Sequence, residues 1–192
     1  MSKKINKYKL IFVHGYTASA KADWYPSLKP MLNKLKIDYS IPNLPGYKTP
    51  HSKEWLKIIR KEVSQTNKPI VLIGHSLGTR AILLYLDQYK ENVEQVILIA
   101  PLSNDIKNAN RRDGEAYPDF FEYKIDLDNV KKLSRKWLIL HSIDDSSLKY
   151  KDHGVSLSKE MSIGLKTFKG RDHFTELEDA KHIFDTLIQE IN

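Results

Sequence analysis

Ile70-Val-Leu-Ile-Gly-His-Ser-Leu-Gly78 is the stretch that decides the fold. Its first four residues are apolar and three are β-branched, a run too short for a helix and suited to a strand buried on both faces. The run stops at Gly74, and a helical pattern starts just after Ser76. Between them, Gly74-His75-Ser76-Leu77-Gly78 fills the pattern G-x-S-x-G. That pattern describes a serine on a sharp, strained strand-to-helix turn, a nucleophile elbow, with its hydroxyl exposed above the sheet. Side chains two residues to either side would collide with the turn, so both positions are glycine. The next helix aims its N-terminal amides and positive dipole end at the place where an oxyanion would form. A tight turn with an incidental serine can match the same five residues; the buried strand before it and the helix after it favour the elbow.

Upstream, Lys9–Val13 reads as a first strand running into His14-Gly15-Tyr16-Thr17. A glycine at that exit suits a loop whose backbone comes close to a substrate. With an elbow in the chain, one oxyanion donor is the Leu77 amide, and the second comes from this loop, most simply the Tyr16 amide. A helix follows over 24–35, with Trp24, Leu28, Met31, Leu32 and Leu35 on one face. A short strand is expected at 38–41, and Pro42-Asn-Leu-Pro-Gly46 then breaks the chain. Thr49-Pro50 reads as an N-cap followed by proline at the first helical position, opening a helix striped by Trp55, Ile58, Ile59 and Val63.

Downstream, the helix from Leu77 to about Tyr89 is apolar almost all round and so is expected to be buried. Val96-Ile-Leu-Ile-Ala100 is the fourth strand. Short apolar strands alternating with helices imply a parallel sheet with right-handed crossovers. The stretch 101–136 breaks this rhythm. It is long, carries charges of both signs, and gathers Tyr117, Phe120, Phe121 and Tyr123, with a short helix expected near 127–133. The aromatics are expected to form a lid or pocket wall in which Tyr117, Phe120 and Phe121 touch substrate; the alternative is a cluster that only pins a surface excursion.

Trp137-Leu-Ile-Leu140 is the fifth strand, leading into His141-Ser-Ile-Asp-Asp145. Two carboxylates just past a strand end can orient a base, or can cap the next helix, whose apolar positions are Tyr150, Gly154, Leu157 and Met161. Gly164–Phe168 is the last strand, and Gly170-Arg-Asp-His173 follows it. Thr175-Glu-Leu-Glu178 has capping-box spacing ahead of a helix striped by Ile183, Phe184, Leu187, Ile188 and Ile191. His173 therefore stands in a short loop, and the chain order Ser76, Asp144/Asp145, His173 is that of a Ser…Asp…His triad on an α/β-hydrolase sheet. The side chain of His75, inside the elbow, is expected to point away from substrate. His14, His51, His141, His153 and His182 show no metal-ligand spacing, so no metal and no cofactor are expected.

Composition narrows the rest. The 192 residues suit one domain, 1–192, and 41% hydrophobic with 29% charged is ordinary for a globular chain. With no cysteine, disulfides and thiolate metal sites are excluded, in line with a reducing cytoplasm. The first residues, Met1-Ser-Lys-Lys-Ile-Asn-Lys-Tyr-Lys, lack the apolar region of a signal peptide, and no apolar run approaches a membrane span. The net charge of +7 comes mostly from lysines scattered among acids, a solvated surface rather than a nucleic-acid face.

Together, the His14-Gly15 loop, Gly74-His-Ser-Leu-Gly78, Ser142-Ile-Asp-Asp145 and Gly170-Arg-Asp-His173 resemble the small α/β-hydrolase family of the retinoblastoma-binding serine hydrolases and their bacterial relatives. The resemblance spans nearly the whole chain. It implies a three-layer sandwich with a mainly parallel six-stranded sheet, Ser76 as nucleophile, Asp145 as acid and His173 as base. Adjacent side chains leaving a strand point to opposite sides, so Asp144 is left to bind loop amides. Relatives usually carry a proline after the second aspartate, where this chain has Ser146-Ser147. The implied chemistry is hydrolysis of small-molecule esters of short or medium acyl groups through an acyl-enzyme. The alternatives are a peptidase or amidase with the same triad, or a hydrolase-fold protein that acts by protein–protein contact.

Overall fold

The apolar runs assemble into one sheet of six strands: β1 (Lys9–Val13), β2 (Asp38–Ser40), β3 (Ile70–His75), β4 (Val93–Ile99), β5 (Ser134–Ser142) and β6 (Gly164–Phe168). The computed structural model describes residues 5–109 and 117–191; 1–4 and 192, and with 110–116 part of the long connection, lie outside them. The strand order is β2-β1-β3-β4-β5-β6, and every neighbouring pair is parallel. Strands β4 and β5 begin earlier than their apolar runs. Their polar first halves pair through the backbone, Gln95 opposite Lys136, which needs no apolar side chain.

Helices cover both faces. On one, α2 (Ser52–Ser64), α3 (Leu77–Tyr89), α4 (Leu127–Lys131) and α5 (Ser156–Met161) bury Trp55, Ile59, Ile82, Val130 and Leu157 against Ile11, Leu72 and Val96. On the other, α1 (Tyr25–Lys34) and α6 (Asp179–Glu190) bury Tyr25, Leu28, Leu32, Ile183 and Leu187 against Phe12, Ile73 and Ile97. Neighbouring strand residues thus serve opposite layers, which is why the central strands read as continuous apolar runs. Among the described residues no helix is long and apolar enough to cross a membrane.

Two helix starts differ from expectation. Thr49-Pro50 does not open α2. The Thr49 amide and hydroxyl turn back to the Gly46 carbonyl, and the helix begins at Ser52, whose amide donates to Asp119 Oδ2 at 2.6 Å. A carboxylate 67 residues away does the capping, so no local pattern could reveal it. Likewise Thr175-Glu-Leu-Glu178 forms turns rather than a capping box. Helix α6 starts at Asp179, whose Oδ2 accepts from the Glu176 amide at 3.0 Å while Oδ1 lies 3.4 Å from Arg171 Nη1.

Strand β1 has β2 on one side and β3 on the other, so the chain reverses its direction of winding there. In open parallel sheets the crevice outside the carboxyl ends at such a reversal is where ligands bind. The loop after β1 and the turn after β3 both open onto it.

Candidate active site

Ser76 sits at φ 51° and ψ −124°, outside the regions that L-residues ordinarily occupy. Such a backbone costs about 1–3 kcal/mol and persists only where packing enforces it. The glycines show the enforcement. A β-carbon on Gly78 would lie 2.1 Å from the Val13 carbonyl oxygen, and one on Gly74 2.9 Å from the Thr79 backbone. Strand, turn and helix are packed so closely that neither position admits a side chain. The Ser76 amide is tied to the Ile99 carbonyl at 3.0 Å.

The serine hydroxyl meets His173. Ser76 Oγ lies 2.9 Å from His173 Nε2, and His173 Nδ1 lies 2.8 Å from Asp145 Oδ2. Asp145 Oδ1 accepts the amides of Ser147 at 2.9 Å and Leu148 at 2.7 Å, so the carboxylate is fixed from both ends. Burial alone would raise its pKa; hydrogen bonds from His141 and His173 outweigh that and hold Asp145 well below the usual carboxylate range. An ionised Asp145 only accepts, so His173 Nδ1 carries the proton and donates. That leaves the Nε2 lone pair to accept from the Ser76 hydroxyl.

The neighbouring carboxylate has a different role. Asp144 accepts the Gly170 amide at 2.9 and 3.0 Å and the Ser142 hydroxyl. The Ser146 amide donates to Asp172 Oδ1 at 2.6 Å. Asp144 and Ser146 therefore stitch the loop after β5 to the loop that carries His173. A proline at 146 could not make the second stitch, because it has no N–H. His173 stands between Asp172 and Phe174, at φ 41° and 54°, so its loop is held in an unusual backbone course.

No sequence spacing marks His141 as a partner of Asp145, yet the fold makes it one. Fully buried, it presents Nε2 to Asp145 Oδ2 at 3.1 Å and to the Leu148 carbonyl at 2.9 Å. A β-carbon on Gly154 would come within 2.2 Å of the other ring nitrogen, so that helix residue is glycine to admit the imidazole. His14 is also structural. Its Nδ1 donates to the Gly15 carbonyl at 3.0 Å, and Nε2 accepts the Leu44 amide at 2.9 Å, pinning the loop after β1. Among the described residues no cluster of three or more His, Asp or Glu could hold a metal.

A cavity of about 750 Å³ opens over Ser76 and His173, with Tyr16 and Tyr117 on its wall, their rings 5.5 Å apart. The Gly15 loop runs beside the serine: a β-carbon there would stand 3.0 Å from Ser76 Cβ. Leu77 buries its side chain in the core, and its amide is the first of α3. Phe120 and Phe121, expected to touch substrate, do not line the cavity. Phe120 packs in the core, 5.2 Å from the Trp55 ring, and Phe121 lies beneath the Arg80 guanidinium. Arg80 is the reason. Buried within the apolar helix, it donates to the Phe120 and Tyr123 carbonyls at 2.7 Å and to Asn104 Oδ1 at 2.6 Å, pulling this segment onto α3. Of the expected aromatic wall only Tyr117 faces the cavity.

Two further residues border it. His75 does pack beside Trp24, but it also lies on the cavity wall rather than pointing away. Its Nε2 donates to the His173 carbonyl at 2.8 Å. Burial pushes its pKa down to about 3, so the ring stays neutral. Asp23, at φ 51°, reaches within 3.7 Å of His75 Nδ1. Burial pushes its carboxyl up to about 6, with His173 lowering it and Glu176 raising it. In the unfolded chain this carboxyl titrates near 3.9. Below about pH 4 it is neutral in both states; between about pH 4 and about 6 the unfolded chain ionises first, so the folded state loses stability across that window and the full loss is present above about 6. Asp23→Asn should therefore be more stable than the native protein at pH 7.5 by about 1–2 kcal/mol, with no gain at pH 4. Urea denaturation at the two pH values checks this; a variant no more stable at pH 7.5 would contradict it.

The sheet order and the helices on both faces define an α/β-hydrolase fold. Solved structures share it: the ydeN gene product of Bacillus subtilis superposes with a TM-score of 0.79 at 20% identity, covering 95% of this chain and all of that one. Est1E of Butyrivibrio proteoclasticus gives 0.70 at 17% identity over 95% of this chain and 88% of its own. A monoacylglycerol lipase of Paleococcus ferrophilus gives 0.69 at 18% identity over 95% and 93%. By sequence, the protein YdeN of B. subtilis (strain 168), described as a hydrolase, is 23% identical over 172 residues, 88% of this chain and 87% of that protein. The chain belongs to the serine hydrolase family, whose model matches residues 10–177.

Proposed function

We propose that the protein hydrolyses small-molecule esters of short or medium acyl groups through a Ser76–His173–Asp145 triad. The observation that carries this is the unbroken hydrogen-bonded chain from Ser76 Oγ through His173 to Asp145, at the floor of a cavity. Ser76 attacks the ester carbonyl while His173 Nε2 takes its proton. Asp145 holds the imidazole in the required tautomer and stabilises its charged form. The amides of Leu77 and Tyr16 receive the oxyanion, and His173 returns the proton to the leaving alcohol. Water, activated by the same histidine, then releases the acyl group. Tyr117 gives the acyl or leaving group an aromatic wall.

The names of two proteins that share the fold, Est1E and a monoacylglycerol lipase, support an ester rather than an amide. The Ser142-Ile143-Asp144-Asp145 element supports a place beside the retinoblastoma-binding serine hydrolases and their bacterial relatives. The test is a series of p-nitrophenyl esters of increasing acyl length with matched p-nitroanilides. Esters should turn over on the order of 10²-fold faster than their anilides or better, a gap of roughly 2.7 kcal/mol in barrier. Faster anilide cleavage would move the assignment to amidases.

A further inference from the structure

One corner of the cavity wall lacks a donor. His75 spends its single N–H on the His173 carbonyl, so Nδ1 is a bare lone pair, and no described group donates to it. The residue is 2% exposed, and the nitrogen faces Asp23 Oδ2 across 3.7 Å. Among the described residues nothing donates a hydrogen bond to the Asp23 carboxylate either. Two acceptors thus face each other at the edge of the cavity. The groups around Asp23 do not relieve this: His75 from β3 is neutral, Tyr25 at the start of α1 feels Asp23 as a nearby negative charge, and Glu176 in the loop after β6 is itself an acid. Only His173 offers partial compensation, and Asp145 and Ser76 already engage both its nitrogens. The described cavity wall holds no lysine or arginine, although the whole chain carries a net charge of +7.

We propose that the Asp23–His75 corner binds a protonated amine on the substrate. This rests on reading the cavity as the substrate site of a serine hydrolase. A nitrogen bearing two or more hydrogens can stand about 2.9 Å from both acceptors at once. An alcohol has one hydrogen and satisfies only one of them. Water can bridge the pair but leaves the carboxylate charge uncompensated, whereas an ammonium group donates to both atoms and neutralises Asp23 in a partly desolvated place. The strained backbone of Asp23 fits the same role, because left-handed conformations of non-glycine residues cluster at ligand clamps.

The experiment is calorimetric titration of the native protein with hexylammonium chloride and, separately, with 1-hexanol at pH 7.5. The ammonium should bind on the order of tenfold tighter or better, and Asp23→Asn should remove the difference. The native protein at pH 5 gives the same readout without a substitution: Asp23 is then largely protonated, so the preference should shrink. Equal affinities at pH 7.5, or a preference that survives Asp23→Asn or pH 5, would overturn the proposal. Fluorophosphonate labelling of the same samples reports on Ser76 alone. Loss of labelling would undo the hydrolase reading, while calorimetry would still decide whether the corner takes an ammonium.

Discussion

Ser76→Ala is expected to lower kcat for ester hydrolysis by on the order of 10⁴-fold or more, with melting unchanged within a few degrees. The size of the loss follows from the role. In the proposed mechanism the alcohol oxygen forms the new bond, and no other hydroxyl is held within hydrogen-bonding distance of His173 Nε2 among the described residues. The fold should tolerate the change because alanine keeps the β-carbon that the turn already accommodates at φ 51°, and the hydroxyl it removes bonds to His173 rather than to the turn. KM should change little, since the bond is made on the way to the transition state and not in substrate binding. Steady-state kinetics with a purified variant, together with a melting curve, check both halves. Near-native turnover would remove Ser76 as the nucleophile.

The two adjacent aspartates should separate as sharply. Asp145→Asn is expected to lower kcat by roughly 10⁴-fold. An asparagine amide would donate to His173 Nδ1, forcing the proton onto Nε2, where it cannot accept from the serine. The same variant should lose stability. The native carboxyl is held below its unfolded pKa, so its contribution is present above about pH 4 and is lost as pH falls toward the folded value. The stability gap between native and variant should therefore narrow below about pH 4, the range of an unperturbed carboxylate. Asp144→Asn should cost far less activity, because Asp144 binds Gly170 and Ser142 rather than His173. Kinetics and melting of the two variants side by side decide it. If Asp144→Asn were the more damaging to kcat with melting unchanged, the assignments would have to be exchanged.

What can be read in advance follows from how local each determinant is. The elbow is legible because its glycines answer to contacts within a few residues of Ser76 and to the crossing of β1. The choice of Asp145 over Asp144 rests partly on side-chain alternation at a strand end, which is also local; Asp145 Oδ2 lies 2.8 Å from His173 Nδ1. Other features depend on partners far along the chain. Asp119 caps α2 from 67 residues away, and Arg80 draws Phe120 and Phe121 away from the cavity. An aromatic cluster shows that something will be buried, but not which layer will bury it. In the sequence Asp23 is one more polar residue before a helix. Only the fold brings it to His75, and only the spent N–H of His75 turns the pair from ordinary surface into two facing acceptors.

Mass spectrometry of the protein after treatment with a fluorophosphonate tests for a nucleophilic serine most directly. One adduct per chain is expected, on the peptide that contains Ser76, absent in Ser76→Ala and formed much more slowly in Asp145→Asn. An adduct on a different residue, or none on native protein that melts normally, would contradict the triad.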